Sequence, residues 1–201
     1  MDNTSYALGM SIATNLMQSG VRELNIDDFA AGLKAVITGG KPALSYEEAN
    51  EALGAFFNKM EEEAAAEQAI MAKQMKEDGE AFLKVNAQQE GVKVTASGLQ
   101  YKVIKAGDGK KPGPADKVQC HYEGKLTNGQ KFDSSYDRNE PAVFGVNQVI
   151  AGWTEALQMM SEGSTWELYI PYELAYGEAG AHGAIPPCAA LIFKVELIKV
   201  L

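Results

Sequence analysis

From Ser45 to about Glu90 the chain runs without a proline after Pro42, and most of its residues are Ala, Glu, Lys, Gln and Met. These are strong helix formers. Ser45-Tyr-Glu-Glu48 opens the stretch as a capping box, in which the Ser hydroxyl and the Glu carboxylate each satisfy a backbone donor at the other's position. One continuous helix is expected, and at ~1.5 Å rise per residue it would be roughly 65 Å long, more than a small domain's diameter. Leu53, Phe56, Phe57 and Met60 give only its first part a full apolar stripe, so the outer part is expected to be a mainly solvated rod. Met71, Met75 and Phe82 continue a thinner stripe, of the kind used for packing rather than for a cofactor. Gly79, about 1 kcal/mol worse than Ala inside a helix, marks the expected place for a bend or fraying.

Two shorter periodic stretches precede it. Tyr6 to Gln18 sets Leu8, Ile12 and Leu16 on one stripe and Tyr6, Met10, Ala13 and Met17 on the next, an apolar arc so wide that most of the circumference must be covered. A second helix starts near Asn25 or Asp27, carries Phe29, Leu33, Val36 and Ile37 at helical spacing, and stops at Gly39-Gly40. About 40 residues rarely make an independent core, so another chain or the next helix must supply the cover.

After Gly91 the period changes from helical to alternating. Val92 and Val94, then Leu99, Tyr101 and Val103, read as two strands about a turn at Ser97-Gly98. Thr165 to Ile170 and Leu191 to Leu201 alternate as well, and Trp153, Ala156, Leu157 and Met160 mark a short amphipathic helix ended by Gly163. The chain therefore reads as α+β: a helical module over 1–44, a linker helix over 45–91, and over 92–201 an antiparallel sheet wrapped around a short helix.

Charge and cysteine usage narrow the partners. A net charge of -9 without clustered Lys and Arg argues against nucleic acid. No apolar run reaches the length of a membrane span, and Met1 is not followed by a basic region and an apolar core. The two cysteines, Cys120 and Cys188, follow no metal or redox spacing, and Cys120 reads as a buried free thiol. The cytoplasm is the expected location; a signal removed ahead of Met1 would make it the periplasm or the cell surface. His121 and Cys120 are strand neighbours on opposite faces and cannot share a metal. The glycines at 107–113 and 177–183 do not lead into a helix, so they form no phosphate cradle. His182 reads as a solvated loop residue, and no cofactor is expected.

Val118 to Trp153 is the chemically informative stretch. Val118, Cys120 and Tyr122 alternate with Gln119, His121 and Glu123, one face buried and the other wet. Asn128-Gly129 reads as a two-residue turn with both central residues at positive φ. Phe132 follows on an inward position. Tyr122, Phe132, Phe144, Val149, Ile150 and Trp153 thus gather around one acid, Asp133, as a hydrophobic cup with a carboxylate at its rim. By itself such a cluster is also the composition of an ordinary core.

Three motifs carry the reading further: V-x-C-H-Y-x-G-K-L-x-N-G-x-K-F-D-S-S at 118–135, V-I-x-G-W at 149–153, and A-Y-G-E-x-G-x-x-G-x-I-P-P at 175–187. In these the C-terminal half resembles an FKBP-type peptidyl-prolyl cis-trans isomerase. Ser5-Tyr-Ala-Leu-Gly9 and Asp27-Asp-Phe-Ala-Ala-Gly-Leu33 are similar to the dimerising region of Mip-like bacterial members. The resemblance implies an isomerase of X-Pro bonds acting in protein folding, with chaperone activity, a homodimer through residues 1–60, proline-containing polypeptides as substrates and macrolides such as rapamycin as inhibitors. It implies Asp133, Tyr122, Phe132 and Tyr176 as catalytic residues. Arg138, Phe144, Val149, Ile150, Trp153, Ile185 and Phe193 are the implied substrate-binding residues. In the family's pattern Trp153 is the pocket floor, the Ile150 amide and the Tyr176 hydroxyl bind carbonyls, and Tyr122 and Arg138 orient Asp133. Two positions depart from it: Ala142 stands where a wall phenylalanine is common, and Ala181 replaces a loop histidine, with His182 one place later. A more open pocket is expected. The competing reading is a proline-recognising binding module or chaperone without significant turnover.

Overall fold

The computed structural model describes residues 1–181 and 183–201, so the reading of His182 lies outside the described residues. The chain forms two compact units, Met1–Ala66 and Glu67–Leu201.

The first unit holds α1 (Asn3–Gln18), α2 (Ile26–Ile37) and the beginning of α3 (Tyr46–Asn86). Each start follows from a capping side chain. Asp2 accepts from the Ser5 N–H at 3.0 Å, so α1 begins ahead of the periodic stretch. Asn25 accepts from the Asp27 and Asp28 N–H groups at 3.0 and 3.1 Å. The expected box at Ser45 forms in full: the Glu48 N–H donates to Ser45 Oγ at 3.2 Å, and the Ser45 N–H donates to Glu48 Oε2 at 2.8 Å. Gly39, at φ +67°, provides the left-handed residue after α2. Across residues 1–66 only Val21 is buried.

The second unit is built on a seven-stranded antiparallel sheet. Its strands are β1 (Val92–Val94), β2 (Gln100–Lys105), β3 (Lys117–Leu126), β4 (Lys131–Ser134), β5 (Ala142–Gly145), β6 (Thr165–Ile170) and β7 (Leu191–Val200). They lie in the order β1-β2-β6-β7-β3-β4, with β5 also on β3. The short strand β5 has no counterpart in the periodicity of the sequence. Helix α4 (Ala151–Met159) buries Trp153, Ala156 and Leu157. A Cβ on Gly152 would stand 2.6 Å from Ile170 Cγ2, so glycine is what lets α4 lie this close to β6. Leu99, Val118, Cys120, Leu157, Met160, Leu168, Val195 and Leu197 complete a fully buried core.

Two expectations need correction. The helix α3 runs through Gly79 without a break and ends at Asn86 rather than Glu90. Gly79 is buried, because a Cβ there would meet the Ala190 Cβ at 3.0 Å: the glycine makes a close approach rather than a bend. Nor are the last turns of α3 a solvated rod. Phe82 lies 6.0 Å from the Tyr169 ring, and the buried Asn86 donates from Nδ2 to Gln100 Oε1 at 2.9 Å. Gln100 Nε2 in turn donates to the Leu83 carbonyl at 2.9 Å, beside the 2.9 Å bond that this carbonyl accepts from the Ala87 N–H, and so ties the end of α3 to β2.

The β3–β4 connection is the second correction. Of the expected turn pair, only Gly129 has positive φ, at +87°. Leu126 and Gln130 close the loop, the Leu126 N–H donating to the Gln130 carbonyl and the Gly129 N–H to the Leu126 carbonyl, both at 2.9 Å. Thr127-Asn128-Gly129 is therefore a three-residue loop with glycine at its left-handed position, and Asn128 helps by accepting from the Gln130 N–H at 2.9 Å. The register shifts between Gly124 and Lys125, which sets Asp133 opposite Gly124.

Candidate active site

On β3, inward positions alternate, and Tyr122 falls on the same face as Val118 and Cys120. Asp133 and Phe132 come from β4, Phe193 from β7, Phe144 from β5, and Trp153 from the first turn of α4. These elements enclose an open cavity of about 440 Å³ lined by Tyr122, Phe132, Asp133, Phe144, Gln148, Val149, Ile150, Trp153, Tyr176 and Phe193. The indole of Trp153 is 4% exposed and stands edge-to-face with three rings, Tyr122, Phe144 and Phe193, at centroid distances of 5.5, 5.6 and 5.3 Å. Phe132 makes the same contact with Phe193 at 5.5 Å. Rings locked edge-to-face hold a preformed wall rather than collapsing into the space between them.

One glycine makes those walls possible. A Cβ on Gly124 would come within 2.6 Å of Phe132 Cζ and 2.7 Å of Phe193 Cε1, so both rings occupy room that any other residue on β3 would fill. Gly145 does the same for Gln148, whose Oε1 lies 2.8 Å from where a Cβ would be. Neither glycine nor Gln148 emerges from the sequence reading. Glycine in a strand does signal close approach, but the partner is a long-range contact that spacing does not reveal.

The single carboxylate is fixed from both sides. The Tyr122 hydroxyl donates to Asp133 Oδ2 at 2.5 Å, Arg138 Nη1 donates to Asp133 Oδ1 at 2.5 Å, and Arg138 Nη2 donates to Tyr122 Oη at 2.9 Å. Burial pushes the Asp133 carboxyl up, but the hydrogen bonds from Tyr122 and Arg138 outweigh it and hold the group below its ordinary value. Burial, then the bond to Asp133, pushes the Tyr122 phenol up, so it stays a donor. Asp133 is therefore ionised at neutral pH. Behind it, the buried Ser135 accepts from the Tyr122 N–H at 2.7 Å and lies 2.9 Å from His121 Nδ1.

The remaining implied residues divide. Arg138 touches the cavity only through Asp133 and Tyr122; it lines an adjoining hollow of about 290 Å³ with Lys131, Phe132, Asp133, Ser134 and Asp137. Ile185 is buried and does not line the cavity, and instead closes its own loop by exchanging backbone hydrogen bonds with Ala181 at 2.9 Å. Ala142 and Ala181 are also absent from the wall. Ile150 is the N-cap of α4, and its side chain makes no capping hydrogen bond. Its own N–H has no acceptor among the described residues, which leaves a donor at the rim. Both cysteines are free and buried, and burial pushes the Cys120 thiol up to about 12, which makes it inert. No group of three or more His, Cys, Asp or Glu able to hold a metal ion occurs among the described residues.

Comparison with known proteins accounts for both halves of the chain. Residues 108–198 match the family described as FKBP-type peptidyl-prolyl cis-trans isomerase, and residues 1–103 match the domain amino terminal to it. The chain is 44% identical to the FKBP-type 22 kDa peptidyl-prolyl cis-trans isomerase of Escherichia coli K12, over 98% of this chain and 94% of that one. It is 42% identical to a Legionella longbeachae protein named outer membrane protein MIP, over 99% and 85% of the two chains. The crystal structure of FkpA from Escherichia coli superposes with a TM-score of 0.78 at 36% identity, covering 98% of this chain and 94% of the other. Similarity of this extent, over the whole length and over both units, places the chain in the family of FKBP-type peptidyl-prolyl cis-trans isomerases that carry an amino-terminal helical domain.

Proposed function

We propose that the chain exercises its isomerase activity by enclosing a prolyl ring in the aromatic cavity while the Asp133 carboxylate acts as a fixed charge. The amide barrier of about 18–20 kcal/mol comes from resonance, so no bond need break to lower it. In the twisted state the carbonyl oxygen carries less negative charge and the nitrogen becomes pyramidal. Water favours the polar planar form, and a dry aromatic wall removes that advantage. Burying roughly 100 Å² of ring would contribute about 2.5 kcal/mol of binding.

Each wall residue has a place in this reading. Trp153 is the floor, and Phe132, Phe144, Val149 and Phe193 are the sides. The Ile150 N–H and the Tyr176 hydroxyl bind substrate carbonyls. Tyr122 and Arg138 keep Asp133 ionised and aimed, so it acts by electrostatics and not as a general base. Ile185 serves by shaping its loop. The observation that carries the proposal is an open aromatic concavity with an ionised, doubly held acid at its edge. A protease-coupled assay on an Ala-X-Pro-Phe peptide tests it: a rate at background from folded protein would favour proline recognition without turnover. The same cavity is the proposed site for macrolides such as rapamycin, tested by competition in that assay.

For the N-terminal region we propose a homodimer through residues 1–60, with 1–44 as its helical module, 45–91 as the linker helix and 92–201 as the isomerase domain. Leu8, Met10, Met17, Leu33, Val36, Ile37 and Phe57 are exposed while only Val21 is buried, and a second copy of the same helices is the cover that such faces fit. Two sites on one dimer would raise the effective concentration for a client chain and support a folding-helper role. Light scattering on the full chain tests the assembly. No described helix is long and apolar enough to cross a membrane. The cytoplasmic location expected from the sequence finds no support in the relatives, one of which is named an outer membrane protein. Periplasmic or surface residence is the alternative, and cell fractionation decides between them.

A further inference from the structure

The segment that presents Tyr176 runs from Tyr172 to Ala190 between β6 and β7, and both of its ends touch α3. Near its start, Lys76 Nζ lies 5.6 Å from the centroid of the Tyr172 ring. At its end, Gly79 comes so close to Ala190 that a Cβ on it would stand 3.0 Å from the Ala190 Cβ and 3.5 Å from the Ala190 nitrogen. The two ends are joined inside the loop. The Gly177 N–H donates to the Tyr172 carbonyl at 2.9 Å, and the Cys188 N–H donates to the Gly177 carbonyl at 3.1 Å. Tyr176 is the neighbour of that junction. Cys188 holds a left-handed backbone, φ +55°, a conformation that a non-glycine residue keeps only where its surroundings enforce it. One enforcing contact is the Gly177 carbonyl, and the packing of Ala190 on Gly79 follows two residues later. Neither Lys76 nor Gly79 lines the cavity.

We propose that Gly79 and Lys76 are positioning residues for the isomerase reaction, because the last turns of α3 are the backing against which the 172–190 loop sets Tyr176 at the cavity rim. The proposal rests on the reading of Tyr176 as a substrate-contacting residue. It turns a glycine that looks like a helix defect into a positioning element: only a residue without a side chain lets the loop close down on the helix.

The test uses the full chain and combines hydrogen exchange with kinetics. Gly79→Leu is expected to speed amide exchange across 172–190 by about tenfold while leaving β3 and β7 protected. It is expected to lower kcat/KM by about fivefold, chiefly through KM. In a Tyr176→Phe background the same substitution should lower kcat/KM by less than about twofold, since both changes act through one group. Gly79→Ala is the milder variant should Gly79→Leu fail to fold. Pairing it with Ala190→Gly, which removes the methyl that the new Cβ would meet, should restore both exchange and rate. Unchanged exchange in the loop, or an equal kinetic loss in both backgrounds, overturns the proposal. Full activity of Tyr176→Phe alone overturns the role of Tyr176 and the catalytic half of the proposal with it; loop exchange, which does not depend on that role, still decides whether α3 holds the loop.

Discussion

The two compact units use the same kinds of apolar residue to opposite effect. In Glu67–Leu201, strand alternation and one short helix turn apolar side chains inward until Leu99, Val118, Leu168 and Val195 have no exposure at all. In Met1–Ala66, well-capped helices carry Leu, Ile, Met and Phe at no lower a density, yet only Val21 is buried. Helix propensity gives local order in both, and side-chain caps add to it in the first, but only the sheet provides a second layer for its apolar face. A sequence can thus specify its elements fully and still leave the apolar faces of one region uncovered.

Truncation tests that contrast most severely. A chain beginning at Glu67 should fold and keep near-full activity on a peptide. One beginning at Val92 loses Gly79, Phe82 and Asn86, strips cover from Ala190, Tyr169 and Gln100, and should be less stable by about 3–5 kcal/mol, as for removal of a large core side chain. Equal denaturation midpoints for the two would erase the role of α3 in the second unit. Within that unit, Phe132→Ala should lower kcat/KM by about a hundredfold with only a modest fall in Tm, since Phe132 is half-buried at an open cavity. Gly124→Ala should lose about tenfold by displacing the Phe132 and Phe193 rings, seen as altered Trp153 fluorescence.

The first unit should respond in the reverse sense. Leu33→Glu with Val36→Glu should convert the full chain to a monomer by light scattering while changing peptide kcat/KM by less than about twofold, a surface-like response at the site. A rate loss as large as that of Phe132→Ala would show that the two units do not work independently. The smallest effect is the response of the wild type to acid. The Asp133 carboxyl is held below its ordinary 3.8, so its contribution is complete above that value and disappears as the pH falls through the lowered one. Activity should therefore be flat from neutral pH down to the ordinary carboxylate range, and Asp133→Asn should lower it about tenfold without changing that flatness. A wild-type inflection near neutral pH would contradict an ionised, doubly bonded acid.

What was legible in the sequence followed from local rules. The Ser45 box and the alternation along β3 need only neighbouring residues and stand where the residues put them, and of the two starts open to the second helix, Asn25 is the one that caps it. What was hidden depended on distant partners. Gly79 reads as a weak point until Ala190 is beside it, and Gly124 reads as a gap until two phenylalanines fill it. The Asn128-Gly129 dipeptide serves two loop types, and the register shift at Gly124 selects the longer one. Nine of the implied pocket residues converge on the cavity because motif spacing encodes strand and helix positions together. Ile185 shares a loop with Tyr176 but folds back on Ala181 through paired backbone hydrogen bonds, a closure that motif spacing does not reveal.

The bare start of α4 suggests a trade between durability and readiness. Serine at position 150 would accept from an amide one turn into the helix and make the resting molecule firmer by about 1 kcal/mol. It would leave the amide of residue 150 itself free, but it would put a hydroxyl where an aliphatic side chain now lines the cavity. Isoleucine keeps that stretch of wall apolar, so selection for a sturdier fold at this position would work against turnover.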